Sequence, residues 1–345
     1  MIINARFRLS TRNATRYLAD CDLLHPGEKI EVRELGGGVS NTVILIAWPQ
    51  NPQKRWVVKQ SLGKLRVKDE WRSDRARIFN EAECMKTLGA LLGSGVVPEV
   101  VWVDRPNFLM IMTAAPPGSS VWKDLLLAGQ VEATIAGEAG RLLALVMAAS
   151  QRDASLRQAF EDRTVFDQLR IDPYYRTVAA RCPDVAPVIQ ELISDSWRIR
   201  TSLTHGDYSP KNMLVRDGKI FLIDFEVAHW GDPAFDSAFL LNHLFLKAFH
   251  SPQRLAFFVE AARQFWGSLT STLKDTNTEA FEEMTVRHLG ALMLARIDGK
   301  SPVEYLKDEP VKNRVRHTAR HILLECPLHL EDVIEIVREE NAGSN

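Results

Sequence analysis

The stretch Thr204 to Phe239, THGDYSPKNMLVRDGKIFLIDFEVAHWGDPAFDSAF, decides how this chain reads. Asp207 and Asn212 stand five apart on a loop punctuated by Gly206 and Pro210, and Asp224 follows twelve residues after Asn212. Between them, two short apolar runs flank Arg216-Asp217-Gly218, a turn sequence. A hairpin of that length folds the chain back, so Asp224 is expected to return to the neighbourhood of Asp207 and Asn212. Two carboxylates and an amide at this spacing suit the handling of a metal-bound phosphate, because hard cations take oxygen donors.

Upstream lies a different texture. Lys29–Leu35 and Asn41–Trp48 read as strands on either side of Gly36-Gly37-Gly38. A dinucleotide fingerprint needs a helix after its glycines, and none is readable, so that class is set aside. A Walker loop is absent as well, since Gly63-Lys64 is followed by Leu65. Arg55–Gln60 is a third strand. Trp71–Leu92 is helical, with Ile78, Ala82, Met85, Leu88 and Leu92 as its inner stripe. Val96–Asp104 and Phe108–Thr113 are two further strands, and Ser10–Leu24 is an amphipathic helix before them all.

Ala114-Ala115-Pro116-Pro117-Gly118 breaks the pattern and marks a linker. Beyond it the chain is helical over 122–150, 155–169 and 183–200, and again over 235–249, 253–274, 278–297, 302–325 and 329–340. The division predicts two domains, 1–115 and 116–345, as befits 345 residues.

Composition excludes several partners. The net charge is -1, which gives no support to nucleic acid or an anionic membrane surface. Up to Pro116 there are 17 Lys and Arg against 12 Asp and Glu, and beyond it 26 against 32. A basic first region suits a polyphosphate, and a mildly acidic second region suits a neutral or cationic acceptor. Cys21, Cys84, Cys182 and Cys326 are scattered without a C-x-x-C pair and read as reduced thiols. No apolar leader opens the chain, and no run reaches the ~18 uninterrupted apolar residues of a membrane span. The reading is cytoplasmic.

At this point the chain resembles the aminoglycoside phosphotransferase/choline kinase-like family, small-molecule kinases with a protein-kinase-like fold. The resemblance runs from roughly 30 to 300. It rests on three linked motifs: His205-Gly206-Asp207 with Asn212, Ile223-Asp224-Phe225-Glu226, and Gly231-Asp232-Pro233-Ala234-Phe235-Asp236. It implies an α+β, bilobal, protein-kinase-like fold. The small N-lobe, 1–115, has an antiparallel sheet plus one helix and binds nucleotide. The larger, mainly helical C-lobe, 116–345, carries catalysis and the acceptor.

The resemblance also implies roles. Asp207 orients or deprotonates an acceptor hydroxyl, in a reaction where positioning and charge stabilisation dominate. Asn212 and Asp224 hold Mg2+. Lys59 meets the nucleotide phosphates and pairs with Glu81, with Glu83 as the alternative. The two glutamates point about 200° apart on a helical wheel, so only one can serve. Gly36, Gly37, Gly38, Ser40 and Asn41 cover the phosphates, Asn41 standing where the last glycine of the usual loop would be. Met112 and Ala114 belong to the segment joining the lobes, whose backbone would bind adenine. The donor is ATP, with GTP not excluded, and the acceptor is a small-molecule alcohol.

Several residues carry a plainer alternative. Asp207 before Pro210 is also a natural Asx turn, and Asp224 a strand-end cap. His205 reads as packing under the loop rather than as a catalytic group. Asp236 is expected to hold the catalytic-loop backbone, and Asp232 to do the same or cap a helix. The usual protein-kinase lysine after the catalytic Asp is replaced by Ser209, with Lys211 nearby. Asp-Phe-Gly is here Asp224-Phe225-Glu226, which moves the chain away from protein kinases and leaves Glu226 as a further metal or pocket carboxylate. Arg287, His288, Arg296 and Asp298 fall in the acceptor region of relatives, although Arg296 and Asp298 also suit a helix C-terminus. His317 and His321 lack the glutamate of a zinc motif. A methylthioribose- or choline-kinase-like enzyme is the alternative within the class, and a non-catalytic nucleotide-binding protein the alternative outside it.

Overall fold

The computed structural model describes residues 7–36, 40–66, 71–273 and 278–342. The chain forms two compact units, Met1–Ser119 with Phe221–Val227, and Ser120–Ile220 with Ala228–Asn345.

The first unit is built on an antiparallel sheet of five strands: β1 (Glu31–Glu34), β2 (Asn41–Trp48), β3 (Asn51–Ser61), β4 (Val100–Asp104) and β5 (Leu109–Thr113). Their order is β1-β2-β3-β5-β4, so β3 is central. Period-two alternation sorts its side chains. Val58, paired with Ile44 and Ile111, joins Ile46, Trp48 and Leu109 in a core sealed by Leu9, Ala14 and Leu18. The last two sit on α1 (Ala14–Asp20), shorter than the expected Ser10–Leu24. Lys59, next in sequence to Val58, therefore faces the opposite side of the sheet.

On that opposite side runs α2 (Arg77–Leu92), with Ile78, Ala82, Met85 and Leu88 buried as its spacing requires. It starts six residues later than the sequence pattern predicts. Lys64 and Arg72 form a β-bridge ahead of it, and the Ala76 N–H donates to Asp74 Oδ1 at 2.8 Å, so the chain turns there first.

The second unit is mainly helical. Helix Pro233–His250 is its centre, with every residue except His250 buried. Its N-terminus is capped by Asp232, whose side chain accepts from the Ala234 N–H at 2.9 Å. Helices Ala133–Gln151 and Leu255–Thr272 cross so closely that a Cβ at Gly140 would meet the Phe265 carbonyl at 2.1 Å. Ala133–Gln151 is the one described helix long and apolar enough to cross a membrane. Its inner face, including Ile135, Leu142, Leu143, Val146 and Met147, is buried inside the unit, while Arg141 on the other face is exposed, as in an amphipathic helix of a folded unit.

Between Phe166 and Thr177 the chain winds as a π-helix, Asp167–Arg176, with Pro173 inside it. Sequence periodicity predicts an ordinary helix over 155–169. Instead Ala154–Ala159 ends at Phe160 and the wider turn follows. Helix Glu309–Glu325 begins at Pro310 as its second residue rather than at 302, since proline fits the first turn of a helix. Short strands complete the unit. β6 (Ser120–Val121) pairs with β8 (Met213–Arg216), and β7 (Ser202–Thr204) with β10 (His229–Gly231). β8 turns into β9 (Lys219–Leu222) through Asp217 at φ 51 and Gly218 at φ 72, a left-handed pair that matches strand twist.

Candidate active site

Two constellations stand out, one in each unit. In the first, β3 presents Lys59 and α2 presents Glu81. Lys59 Nζ lies 2.8 Å from Glu81 Oε1, 2.7 Å from Oε2 and 2.6 Å from Asp224 Oδ1. Glu83, the alternative partner, points outward and is exposed. Burial pulls the Lys59 ammonium down, but Asp224, Glu81 and Glu226 outweigh it and hold the group above its ordinary range. Burial pushes Glu81 up, with Lys59 opposing.

Asp224 adopts φ 71, a left-handed conformation that costs a non-glycine residue about 1 kcal/mol or more. Strain of this kind persists where the surroundings hold it, and the short contact with Lys59 is such a hold. Carboxylate oxygens of Glu81, Asp224 and Glu226 all lie within 4.8 Å of one another, and the Lys59 ammonium sits against the first two, so in this arrangement those two serve as its counter-ions. Of the three, Asp224 has the most solvent access, 24%.

Glu226 is occupied differently. It accepts from Ser40 Oγ and Asn41 Nδ2 at 2.8 Å each, and from Arg77 Nε at 3.1 Å. Arg77 also donates to the carbonyls of Ser40 and Leu62. The side chains of Ser40 and Asn41 are thus tied into the unit rather than presented outward. Gly36 is exposed with open space about it. Gly37 and Gly38 lie outside the described residues. Met112 is buried on β5, and the Ala114 N–H donates to the Arg55 carbonyl at 2.9 Å. Ala114 accordingly contributes packing, its donor being engaged.

The second unit holds the loop that follows β7. Asp236, in the first turn of helix Pro233–His250, accepts from the N–H groups of His205 at 2.6 Å and Gly206 at 2.9 Å. Burial pushes its carboxyl up to about 7, against the pull of those two donors. Gly206 takes φ 74, which glycine adopts without strain. His205 is buried, and its Nδ1 accepts from the Asp207 N–H at 3.2 Å, a packing and loop-setting role.

Asp207 is 4% exposed. Its Oδ2 meets Arg170 at 3.1 Å and Lys211 at 2.9 Å. Arg170 comes from the π-helix and also donates to the Gly206 carbonyl at 2.6 Å. Asn212 Nδ2 donates to the Asp207 carbonyl at 2.9 Å, which leaves Oδ1 as the remaining polar atom of that side chain.

The acceptor-region residues divide. Arg287 pairs with Asp195, and Asp298 is clamped by Arg316, so both belong to structural ion pairs. His288 contacts Tyr175 and Asp232. Arg296 donates instead to Tyr174 and Ser301. His317 pairs with Glu340, and no metal cluster involving it occurs among the described residues.

Arg77 and Arg170 are the two residues that the sequence reading passed over. Each binds a backbone carbonyl and a carboxylate far away in sequence. Nothing in the local pattern of either segment carries that information.

With this geometry in hand, comparison with known proteins gives the class. The model of the phosphotransferase enzyme family matches residues 31–270. The chain belongs to that family and is a small-molecule kinase. No curated protein matches it in sequence. Among solved structures it is similar to the amicoumacin kinase hAmiN in complex with AMP-PNP, Ca2+ and Ami, with TM-score 0.60, 13% identity, and 94% of this chain and 97% of that one covered. It is similar to the GDP and kanamycin complex of APH(2")-IIia, with TM-score 0.55, 13% identity, and 97% and 100% covered. It is also similar to the macrolide 2'-phosphotransferase MphH from Brachybacterium faecium, an apoenzyme, with TM-score 0.52, 18% identity, and 90% and 98% covered. At these identities the likeness establishes the fold, α+β and protein-kinase-like.

Proposed function

We propose that the chain transfers the γ-phosphoryl group of ATP to a hydroxyl of a small molecule, with a divalent cation, Mg2+. The observation that carries this reading is Asp207. It is buried, its loop is pinned through two N–H groups by Asp236, and its Oδ2 is held by Arg170 and Lys211. A carboxylate fixed in this way is suited to receive the proton of an alcohol as its oxygen forms the new P–O bond and the nucleoside diphosphate leaves.

In this reading the first unit binds the nucleotide. Lys59, set by Glu81, meets the phosphates, and the backbone from Gly36 to Asn41 covers them. Gly37 and Gly38 are part of that assignment by sequence alone. Met112 and Ala114 line the base. Asp224 and Asn212 are assigned to the cation by their sequence motifs alone, and a bound cation would neutralise charge on the phosphates. Solved structures of similar fold hold AMP-PNP with Ca2+, or GDP, which supports nucleotide and divalent-metal use. The four cysteines are all free, which supports a cytoplasmic setting.

The test is diphosphate release by the purified chain with ATP or GTP, with and without Mg2+, across a panel of small alcohols. Acceptor-dependent release that needs the metal is expected. Nucleotide binding without release for any alcohol would point to a non-catalytic protein.

A further inference from the structure

Among the described residues of the second unit, Lys247 and Arg296 have no carboxylate within ion-pair distance. Lys247, on helix Pro233–His250, is 1% exposed and meets no carboxylate among the described residues. Its ammonium donates to the His243 carbonyl at 3.2 Å and lies 5.3 Å over the Tyr305 ring. Arg296 is likewise without a carboxylate among the described residues. Its Nη1 donates to the Tyr174 hydroxyl at 3.0 Å and to Ser301, and its Nε is buried without a partner. The Tyr305 hydroxyl is buried without a partner as well. Lys123 differs, being satisfied by Glu304.

An unpaired buried cation is costly, and buried donors are ordinarily satisfied. Here the cost is visible in the neighbours. Burial first, then Lys123 and Arg296, bring Lys247 down to about 7, with Glu304 opposing. His243 is pushed well below its ordinary range by burial first, then by Lys247, Arg296, Lys211 and Lys123.

The cluster is joined to Asp207 through Tyr174. Arg296 Cζ lies 5.8 Å from that ring and Arg170 Cζ 5.5 Å from it, and Arg170 holds Asp207. Phe239, stacked on Tyr174, shares its helix with Lys247 eight residues on, about 12 Å along the axis.

We propose that the acceptor carries an anionic group, a carboxylate or a phosphate, which seats at Arg296 and Lys247 and accepts from the Tyr305 hydroxyl while its own hydroxyl meets Asp207. This rests on the phosphoryl-transfer reading above. It reverses the expectation from composition, a neutral or cationic acceptor, because the charge around the site is positive although the region as a whole is acidic.

The test uses the full chain, with succinate and inorganic phosphate as anion probes and matched hydroxy acids and hydroxy amides as acceptors. Calorimetry should show at least one anion binding at millimolar concentration. Lys247→Met keeps the side-chain length, and it and Arg296→Gln should each weaken that binding by roughly tenfold or more, the worth of one charge-assisted bond. Nucleotide affinity should be unchanged in both. Succinate binding would assign a carboxylate, and phosphate binding a phosphate ester. The hydroxy acids should exceed their amides in kcat/KM, and the ratio should collapse in Lys247→Met. Neither anion binding, or binding indifferent to both substitutions, would overturn the proposal. Preferred turnover of neutral or cationic alcohols that still needs Asp207 would overturn the anionic acceptor and leave phosphoryl transfer standing. Absent transfer to every alcohol despite bound nucleotide would overturn the underlying reaction and the acceptor with it.

Discussion

Lys59 Nζ lies 2.6 Å from Asp224 Oδ1, so the strand lysine and the loop carboxylate neutralise each other inside the first unit. Removing the cation leaves Glu81 fully buried without it, whereas Glu226 keeps its bonds from Arg77, Ser40 and Asn41. Lys59→Met should therefore destabilise the chain by about 3–5 kcal/mol, the cost of breaking a buried pair. It should also weaken nucleotide binding. A denaturant titration beside a nucleotide titration checks both, and unchanged values would remove Lys59 from the account.

Arg170 acts on Asp207 through two bonds at once, to its Oδ2 and to the Gly206 carbonyl. Arg170→Gln should lower kcat by roughly tenfold or more, as loss of one charge-assisted contact implies. The nucleotide KM should stay constant. Arg170→Lys should not restore kcat, because an ammonium lacks the planar fork that spans both acceptors. Full rescue by lysine would show that only the charge matters.

Lys247 gives a pH prediction. Its folded-state value is brought down to about 7, below that of the unfolded chain, so between that pH and about 10.4 the unfolded state holds more protons. Stability from this group thus rises with pH across that window and falls as pH drops through it. Lys247→Met should be more stable than the parent near pH 7, with the difference vanishing near pH 10. Melting temperatures across that range check it, and a constant difference would contradict the sign.

Gly140 sits where two helices touch. A Cβ would meet the Phe265 carbonyl at 2.1 Å, and backbone cannot swing aside as a side chain can. Gly140→Ala should cost about 1–3 kcal/mol through forced separation of Ala133–Gln151 from Leu255–Thr272. An unchanged melting temperature would contradict that packing.

Much of this was legible from spacing. The alternation around Val58 and Lys59, the hairpin after Asn212 and the stripe on α2 are local patterns, and local patterns survive into structure. The family resemblance, and not spacing, ties Asp236 to the loop at Asp207. The contacts of Arg77 with Glu226 and of Arg170 with Asp207 were not legible, since they join segments 149 and 37 positions apart. Nor was the π-helix, whose wider turn has no residue signature and which sets where Arg170 lies. That Lys247 is buried with no carboxylate at ion-pair distance among the described residues is seen only in the folded unit.

The most direct measurement follows γ-labelled ATP with the purified chain, Mg2+ and the alcohol panel, for the parent and for Asp207→Ala. The label should pass to an alcohol as a phosphate monoester, and Asp207→Ala should transfer it ~10²–10⁴-fold more slowly, the span of a general base, while binding ATP as tightly. Label that never reaches an alcohol, or an Asp207→Ala variant as fast as the parent, would contradict the account.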